Sequence, residues 1–231
     1  MSALNADAWK RAAAAAAAEL VADGMIVGLG TGTTAAHLVT ILGERVRRGL
    51  RIVGVPTSER THAQAVTEGI RIVGFADTQR LDLTIDGADE IARGSLDLIK
   101  GGGGALLREK IVASASDRMV VISDASKLVD RLGGGFAAPV EIAPFGWEVT
   151  INRLRDRARA VRLRRNADSS PYVTDGGHYI IDCDFDPLED AAAMERELGS
   201  IVGVVESGFF IGIASMAFIA DADGVRQLIP G

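Results

Sequence analysis

The 231-residue chain is 48% hydrophobic and 24% charged, enough to bury a full core as one large domain or as one domain with a small companion. Its net charge of −6 excludes a general affinity for nucleic acid or acidic membranes, while leaving room for a local basic pocket. A single cysteine, Cys183, excludes an internal disulfide, and the longest strongly apolar run, Phe209 to Ala220, is too short to cross a bilayer.

The N-terminus lacks a basic-then-apolar leader pattern, so a cytoplasmic protein is expected, with no nucleic-acid or membrane partner. Residues 6–22 read as a helix, its alanines reflecting helix propensity. Then follow strand "MIVGL", helix 33–48, strand "RIVGV", helix 58–68 and the strands "IRIVGF" and "LDLTID". A helix over 105–116 and the strand "RMVVIS" come next. Short β-branched runs alternating with helices indicate βαβ units and a mainly parallel sheet, whose sites form at the carboxyl ends of the strands.

The pattern changes at "GGGFAAP", near residue 133. Strand "PVEIA", helix 147–160, strands "VRLRR" and "HYIIDC", helix 187–199 and strand "IVGVVE" follow in βαββαβ order. The tail "GFFIGIASMAFIADADGV" reads as strand returning to the first sheet. The fold class expected is α/β: a Rossmann-like, mainly parallel sheet with helices on both faces, plus a smaller ferredoxin-like α+β domain. The first comprises residues 1–132 and 206–231, the second 133–205. The arginine-rich stretch from Arg153 to Arg165 reads as a solvated face.

Three loops carry the chemistry. "GLGTGTTA", 28–35, links a strand to a helix, where helix amides and threonine hydroxyls offer donors to an anion. It also satisfies a loose G-x-G-x-x-[GA] pattern through Gly30, Gly32 and Ala35, so a nicotinamide enzyme is a rival. "DGADE", 86–90, packs three carboxylates into five residues. An exposed acidic turn, a divalent metal site and acid–base chemistry all remain open for it.

The third loop, "KGGGGALLREK", sets Lys100 before four glycines and a helix start, a cluster suited to stabilising oxygen charge during a reaction. Glu109 shares a helix face with Ala105, Val112 and Ala113, so desolvation should raise its pKa toward that of a general base. The loops are expected to converge from strand ends of one sheet. His37, His62 and His178 show no ligand spacing, and Cys183 reads as packing. Lys127, in "SDASK", is either a pocket cation or a surface residue.

Together, "VGLGTGTTAAH", "DGADEI", "KGGGGALLREKI" and "SDASK" resemble ribose-5-phosphate isomerase type A in order and spacing, and "PVEI" and "VTDGG" fit as well. The resemblance spans essentially the whole chain. It implies interconversion of ribose 5-phosphate and ribulose 5-phosphate through an enediolate, without metal or organic cofactor, in a homodimer or dimer of dimers. It implies Glu109 as the base moving a proton between C1 and C2, and Asp86 and Asp89 in ring opening and oxygen proton transfer. Lys100 with Gly101, Gly102 and Gly103 would contact the sugar oxygens, beside Gly87 and Ala88. Thr31, Gly32, Thr33 and Thr34 would hold the phosphate with Lys127 and Lys10. Thr33 stands where serine is common, and Gly104 and Leu107 where alanine and threonine are; no charged group is lost. The rivals are another sugar-phosphate isomerase or deaminase, and a non-catalytic sugar-phosphate sensor.

Overall fold

The computed structural model describes residues 3–231. In its first half, α1 (Ala3–Ala18), β1 (Ile26–Leu29), α2 (Thr33–Arg47), β2 (Val53–Pro56), α3 (Glu59–Thr67), β3 (Arg71–Ile72) and β4 (Leu83–Asp86) alternate as the patterning predicts. Next come β5 (Glu90–Ala92), β6 (Leu98–Ile99), α4 (Leu106–Ser114), β7 (Met119–Asp124) and β8 (Leu128–Val129). The smaller unit contains β9 (Ala138–Ile142), α5 (Trp147–Arg155), β10 (Ala160–Leu163), β11 (Tyr179–Asp184), α6 (Ala191–Gly199) and β12 (Val204–Ser207). The chain closes with β13 (Phe209–Phe210), β14 (Ala214–Asp221) and β15 (Gly224–Leu228).

A seven-stranded sheet runs in the order β15-β14-β7-β4-β1-β2-β3. All its pairings are parallel except that of β15 with β14. One face packs on α1 and α2 through Leu38, Leu42, Val27, Leu29, Ile85 and Val120. Ala13, Ala14, Ala17 and Ala18 are fully buried there. Their lack of bulk lets α1 lie close on its neighbours, so the alanine run serves packing as well as propensity.

The opposite face is covered differently from a simple helical layer. Beside α4 lies a four-stranded sheet in the order β13-β6-β5-β8, built from strands of two or three residues. Ile91, Leu98 and Phe210 from it meet Val121, Ala217 and Ile219 of the large sheet. The strands are too short for any periodicity, which is why the sequence reading passes over them. The consequence for the site is a correction: the glycine loop leaves β6 of this small sheet, not the large one.

The remaining sheet, β10-β11-β9-β12, is antiparallel throughout, the order a βαββαβ chain produces. Val140, Ile142, Ile181, Cys183 and Leu198 pack its core beside Ile151 and Leu154. Several predicted boundaries shift. The first helix begins at Ala3 and ends at Ala18, and α5 stops at Arg155. The last helix starts at Ala191, because Asp190 caps it by accepting the Ala193 N–H at 2.8 Å and Pro187 lies outside it. Of "IRIVGF" only Arg71–Ile72 pairs as strand.

Candidate active site

The loops after β1, β4 and β7, three adjacent strands of the large sheet, meet the glycine loop at one cavity of about 140 Å³. Lys10, Thr31, Gly32, Thr33, Thr34, Gly87, Ala88, Asp89, Lys100, Gly101, Gly103, Glu109 and Lys127 line it, nearly the whole set drawn from sequence. Asp86, fully buried, and Gly102, exposed, do not line it. Ser123 and Asp124, which the sequence reading left unassigned, do line it. Their signal was their place at the end of β7, within "ISDASK". Asp124 caps the following 3₁₀ turn by accepting the Ser126 N–H at 3.0 Å, which sets the approach of Lys127. A larger, mainly apolar groove of about 500 Å³ beside β2, β3 and α4 holds none of the predicted residues.

The floor of the cavity is Lys100, whose side chain is 2% exposed. Its Nζ lies 3.0 Å from Asp86 Oδ2 and 3.3 Å from Glu109 Oε1, and it donates to the Gly87 carbonyl at 2.6 Å. The Phe210 ring lies 5.5 Å away. The Lys100 backbone is held as firmly: its N–H donates to Gly208 O at 2.8 Å. A Cβ on Gly208 would come within 2.4 Å of Lys100 O, so only glycine permits this approach.

Burial would by itself lower the Lys100 pKa, but Asp86 and Glu109 outweigh it and hold the ammonium above its ordinary value. One cation serves two carboxylates, and they are unequally supported. Asp86 accepts the N–H groups of Thr31 at 3.0 Å and Gly87 at 2.7 Å. Desolvation still raises its pKa, with Lys100 and these amides opposing the rise. Glu109 Oε2 and Asp86 Oδ2 both lack a hydrogen-bond partner among the described residues, but Asp86 Oδ2 lies against the Lys100 ammonium. Desolvation first, and the Asp86 charge second, push Glu109 up to about 8 against the pull of Lys100.

The three carboxylates of "DGADE" therefore avoid mutual repulsion by facing different donors. Asp86 turns toward Thr31, Gly87 and Lys100. Asp89 accepts the Gly102 N–H at 2.7 Å. Glu90, 2% exposed, accepts the N–H groups of Gly133 and Gly135 at 2.7 and 2.8 Å, tying β5 to the entrance of the smaller unit. Among the described residues, no group of three or more His, Cys, Asp and Glu side chains is placed to hold a metal ion.

At the other end of the cavity, α2 opens at Thr33 behind Gly32, whose φ of 118° favours glycine. The free N–H groups of the first turn of this 15-residue helix lie here, and Lys10 Nζ reaches Thr33 Oγ1 at 3.1 Å. Lys127 lines the same cavity, its Nζ 6.0 Å from the Phe136 ring. Thr31 is 7% exposed and its hydroxyl is engaged with those of Thr57, Ser58 and Thr61 at 2.7, 2.8 and 3.1 Å. This cluster locks the β1–α2 loop against the start of α3. Two glycines of "GLGTGTTA" have reasons internal to the protein. A Cβ on Gly28 would meet Thr84 Oγ1 at 2.0 Å, and one on Gly30 would meet Asp86 Oδ1 at 2.1 Å.

The family profile described as ribose 5-phosphate isomerase A (phosphoriboisomerase A) matches residues 53–224. The ribose-5-phosphate isomerase A of Gloeobacter violaceus is 55% identical over 227 residues, covering 98% of each chain. The chain belongs to the ribose 5-phosphate isomerase A family. A relative of the same name from Rhodopseudomonas palustris is 52% identical, covering 96% of this chain and 98% of its own. Among solved structures, ribose 5-phosphate isomerase A of Methanocaldococcus jannaschii superposes with a TM-score of 0.92 at 38% identity, over 96% of this chain and 99% of the other. A D-ribose-5-phosphate isomerase in complex with phospho-erythronic acid gives 0.94 at 37% identity, over 97% and 99%. The protein is thus an isomerase that interconverts ribose 5-phosphate and ribulose 5-phosphate, and the sensor, deaminase and nicotinamide readings are not favoured.

The unequal support of the two carboxylates has a thermodynamic signature. A carboxyl whose folded pKa lies above its unfolded value binds its proton more tightly when folded, so stability is lost as pH rises through that window. Wild type should therefore lose stability relative to Glu109→Gln as pH rises from about 5 to about 8. Denaturant unfolding across that range measures it, and a pH-independent difference would mean that Glu109 titrates as an ordinary carboxyl.

Proposed function

We propose that the cavity holds the open-chain pentose phosphate with its phosphate at the start of α2, between Lys10 and Lys127, and its C1–C2 end over Lys100 and Glu109. The observation that carries this reading is the contact of Lys100 with Glu109 on the cavity floor, a base and an oxyanion partner side by side. A proton on carbon beside a carbonyl is weakly acidic, so a base suffices only if the oxygen charge is stabilised as the proton leaves.

In the direction from aldose to ketose, the Glu109 carboxylate takes the C2 proton. The C2–H electron pair forms the C1=C2 bond and the carbonyl pair moves to O1. The resulting enediolate turns its negative charge toward Lys100 and the Gly103 N–H. Glu109 then returns its proton to C1, while the O2 hydroxyl proton passes to O1 by way of Asp89, leaving the ketone at C2. Asp89, on the cavity wall, suits ring opening as well. Asp86 is wholly buried behind Lys100, so its part is to hold the ammonium in place, not to touch the sugar. The phospho-erythronic acid bound by a structural neighbour has the same division, a phosphate at one end and a planar anion at the other. No metal or organic cofactor enters this reading.

The four glycines then divide by reason. Gly101 and Gly104 have φ of 101° and 80°. A Cβ on Gly102 would meet Asp89 Oδ1 at 2.7 Å. Gly103 has neither constraint: a Cβ there meets only ordinary contacts, at 3.6 Å from Thr31 and 3.7 Å from Arg60. Its bare backbone therefore serves the bound sugar.

We also infer a cytoplasmic homodimer or dimer of dimers, with residues 133–205 as a smaller domain. Phe145, Val149 and Val202 are 96%, 59% and 78% exposed on that smaller unit, where Gly203 packs on Thr150, and they favour self-association.

Glu109→Gln should lower kcat by about 10²–10⁴-fold with KM little changed, and should abolish exchange of solvent deuterium into product. Near-wild-type turnover in that variant would remove Glu109 from its role. For Gly103→Ala, melting temperature should hold while kcat/KM falls; a drop in stability with unchanged kinetics would place the glycine's purpose in folding. Light scattering should return a molar mass at least twice that of one chain.

A further inference from the structure

Four consecutive glycines leave a loop with no side chains of its own to fix it, and glycine has the most backbone freedom to lose. The Gly104 N–H donates to Gly101 O at 3.0 Å and the Gly102 N–H to Asp89 at 2.7 Å. A further contact comes from the arginine-rich stretch assigned to solvent in the sequence reading. Several of its members keep to that assignment: Arg159 and Arg162 pair with Asp186 and Asp184 at the surface. Arg164 departs from it, with a side chain only 16% exposed.

Arg164 follows β10 and turns away from the smaller unit's core, toward the glycine loop. Its Nη1 donates to Gly101 O at 2.9 Å and to Gly102 O at 3.3 Å. Its Nε and Nη2 grip both oxygens of Asp182 on β11, the Nε contact at 3.1 Å. The guanidinium also lies 5.9 Å from the Tyr172 ring. Tyr172 packs against the next glycine, its hydroxyl 2.2 Å from where a Gly104 Cβ would stand. A planar guanidinium doubly bound to one carboxylate has little freedom left, so the N–H groups of Nη1 point in set directions.

Peptide planarity carries that direction into the cavity. In a trans peptide the carbonyl and the following N–H point opposite ways. Drawing Gly101 O toward Arg164 turns the Gly102 N–H away from it, and that N–H meets Asp89. Drawing Gly102 O the same way turns the Gly103 N–H away likewise. Gly103 lines the cavity, and its N–H has no acceptor among the described residues.

We propose that Arg164 is a positioning residue for the isomerisation: by holding the carbonyls of Gly101 and Gly102, it aims the Gly102 amide at Asp89 and the Gly103 amide at the oxygen that becomes charged. The inference rests on the reading above that this loop faces the sugar oxygens. It gives the smaller unit a part in the chemistry without contact with substrate. Since the amides matter most when the oxygen carries charge, loosening them acts on turnover more than on binding.

The test is Arg164→Ala, with Arg164→Lys as the milder variant should the first fold poorly. Arg164→Ala should lower kcat about tenfold or more while KM for ribose 5-phosphate stays within about threefold. Affinity for 4-phosphoerythronate should weaken in step with kcat/KM, whereas inhibition by inorganic phosphate should not change. Arg164→Lys, a single ammonium unable to grip Asp182 and both carbonyls together, should fall between, and methylguanidine should restore part of the kcat of Arg164→Ala. Unchanged kcat, or a kcat loss that methylguanidine leaves untouched and that tracks melting temperature, would overturn the inference. Amide NMR separates it from the reading it rests on. If 4-phosphoerythronate fails to shift the Gly103 amide in wild type, the loop does not face the sugar. If it shifts that amide equally in wild type and Arg164→Ala, Arg164 does not position it.

Discussion

A buried ammonium is tolerated only where every side of it is answered, and the arrangement around Lys100 follows from that demand. Removed from water, the charge would be strongly unfavourable alone; with Asp86, Glu109 and the Gly87 carbonyl in contact it is held above its ordinary pKa. Each partner arrives on a different element: Asp86 ends β4, Glu109 stands in the first turn of α4, and the Lys100 backbone is tied to Gly208. The constraint also sets the chemistry. Two amides support Asp86 at Oδ1, and none supports Glu109 Oε2. A buried ion pair of this kind contributes little net stability. In the proposed reaction, its value lies in keeping one carboxyl basic beside a fixed positive charge.

Around this centre, glycine is used for two opposed purposes. At Gly28, Gly30 and Gly208 the missing side chain lets protein atoms crowd together, and a methyl would collide with Thr84, Asp86 or the Lys100 carbonyl. At Gly103 nothing in the protein needs the space. The same residue type thus marks tight packing in one loop and an open face in another, and only the neighbours distinguish the two. The acidic loop follows a similar logic: three carboxylates close in sequence point to three sets of donors, one beneath the floor, one on the wall and one at the entrance to the smaller unit.

Much of this was readable from residue order. The alternation of β-branched runs with helices located the parallel sheet, and the βαββαβ order located the smaller sheet, because both depend on local periodicity. The lysine, the glutamate and the two aspartates stood out through unusual local composition. The β13-β6-β5-β8 sheet was hidden because its strands are two or three residues long and pair across distant segments. Arg164 was hidden for another reason. Among neighbouring arginines it has no distinctive pattern, and its role depends on Asp182 and on two carbonyls far away in sequence. Lys10 was the reverse case: its surroundings "AWKRA" say nothing of a site, yet α1 brings it to Thr33.

The placing of β14 between β7 and β15 bears on how the protein is made. All six residues of β7 are buried, and part of their cover comes from a strand that the ribosome adds only after the entire smaller unit. Throughout that interval the nascent chain carries β7 as an open apolar edge, the kind of surface that recruits chaperones or pairs with the wrong chain. The smaller unit is contiguous in sequence, and its last strand ends at Ser207, seven residues before β14 begins. The return of β14 and β15 is therefore the last step by which the sheet that carries Asp86 is completed.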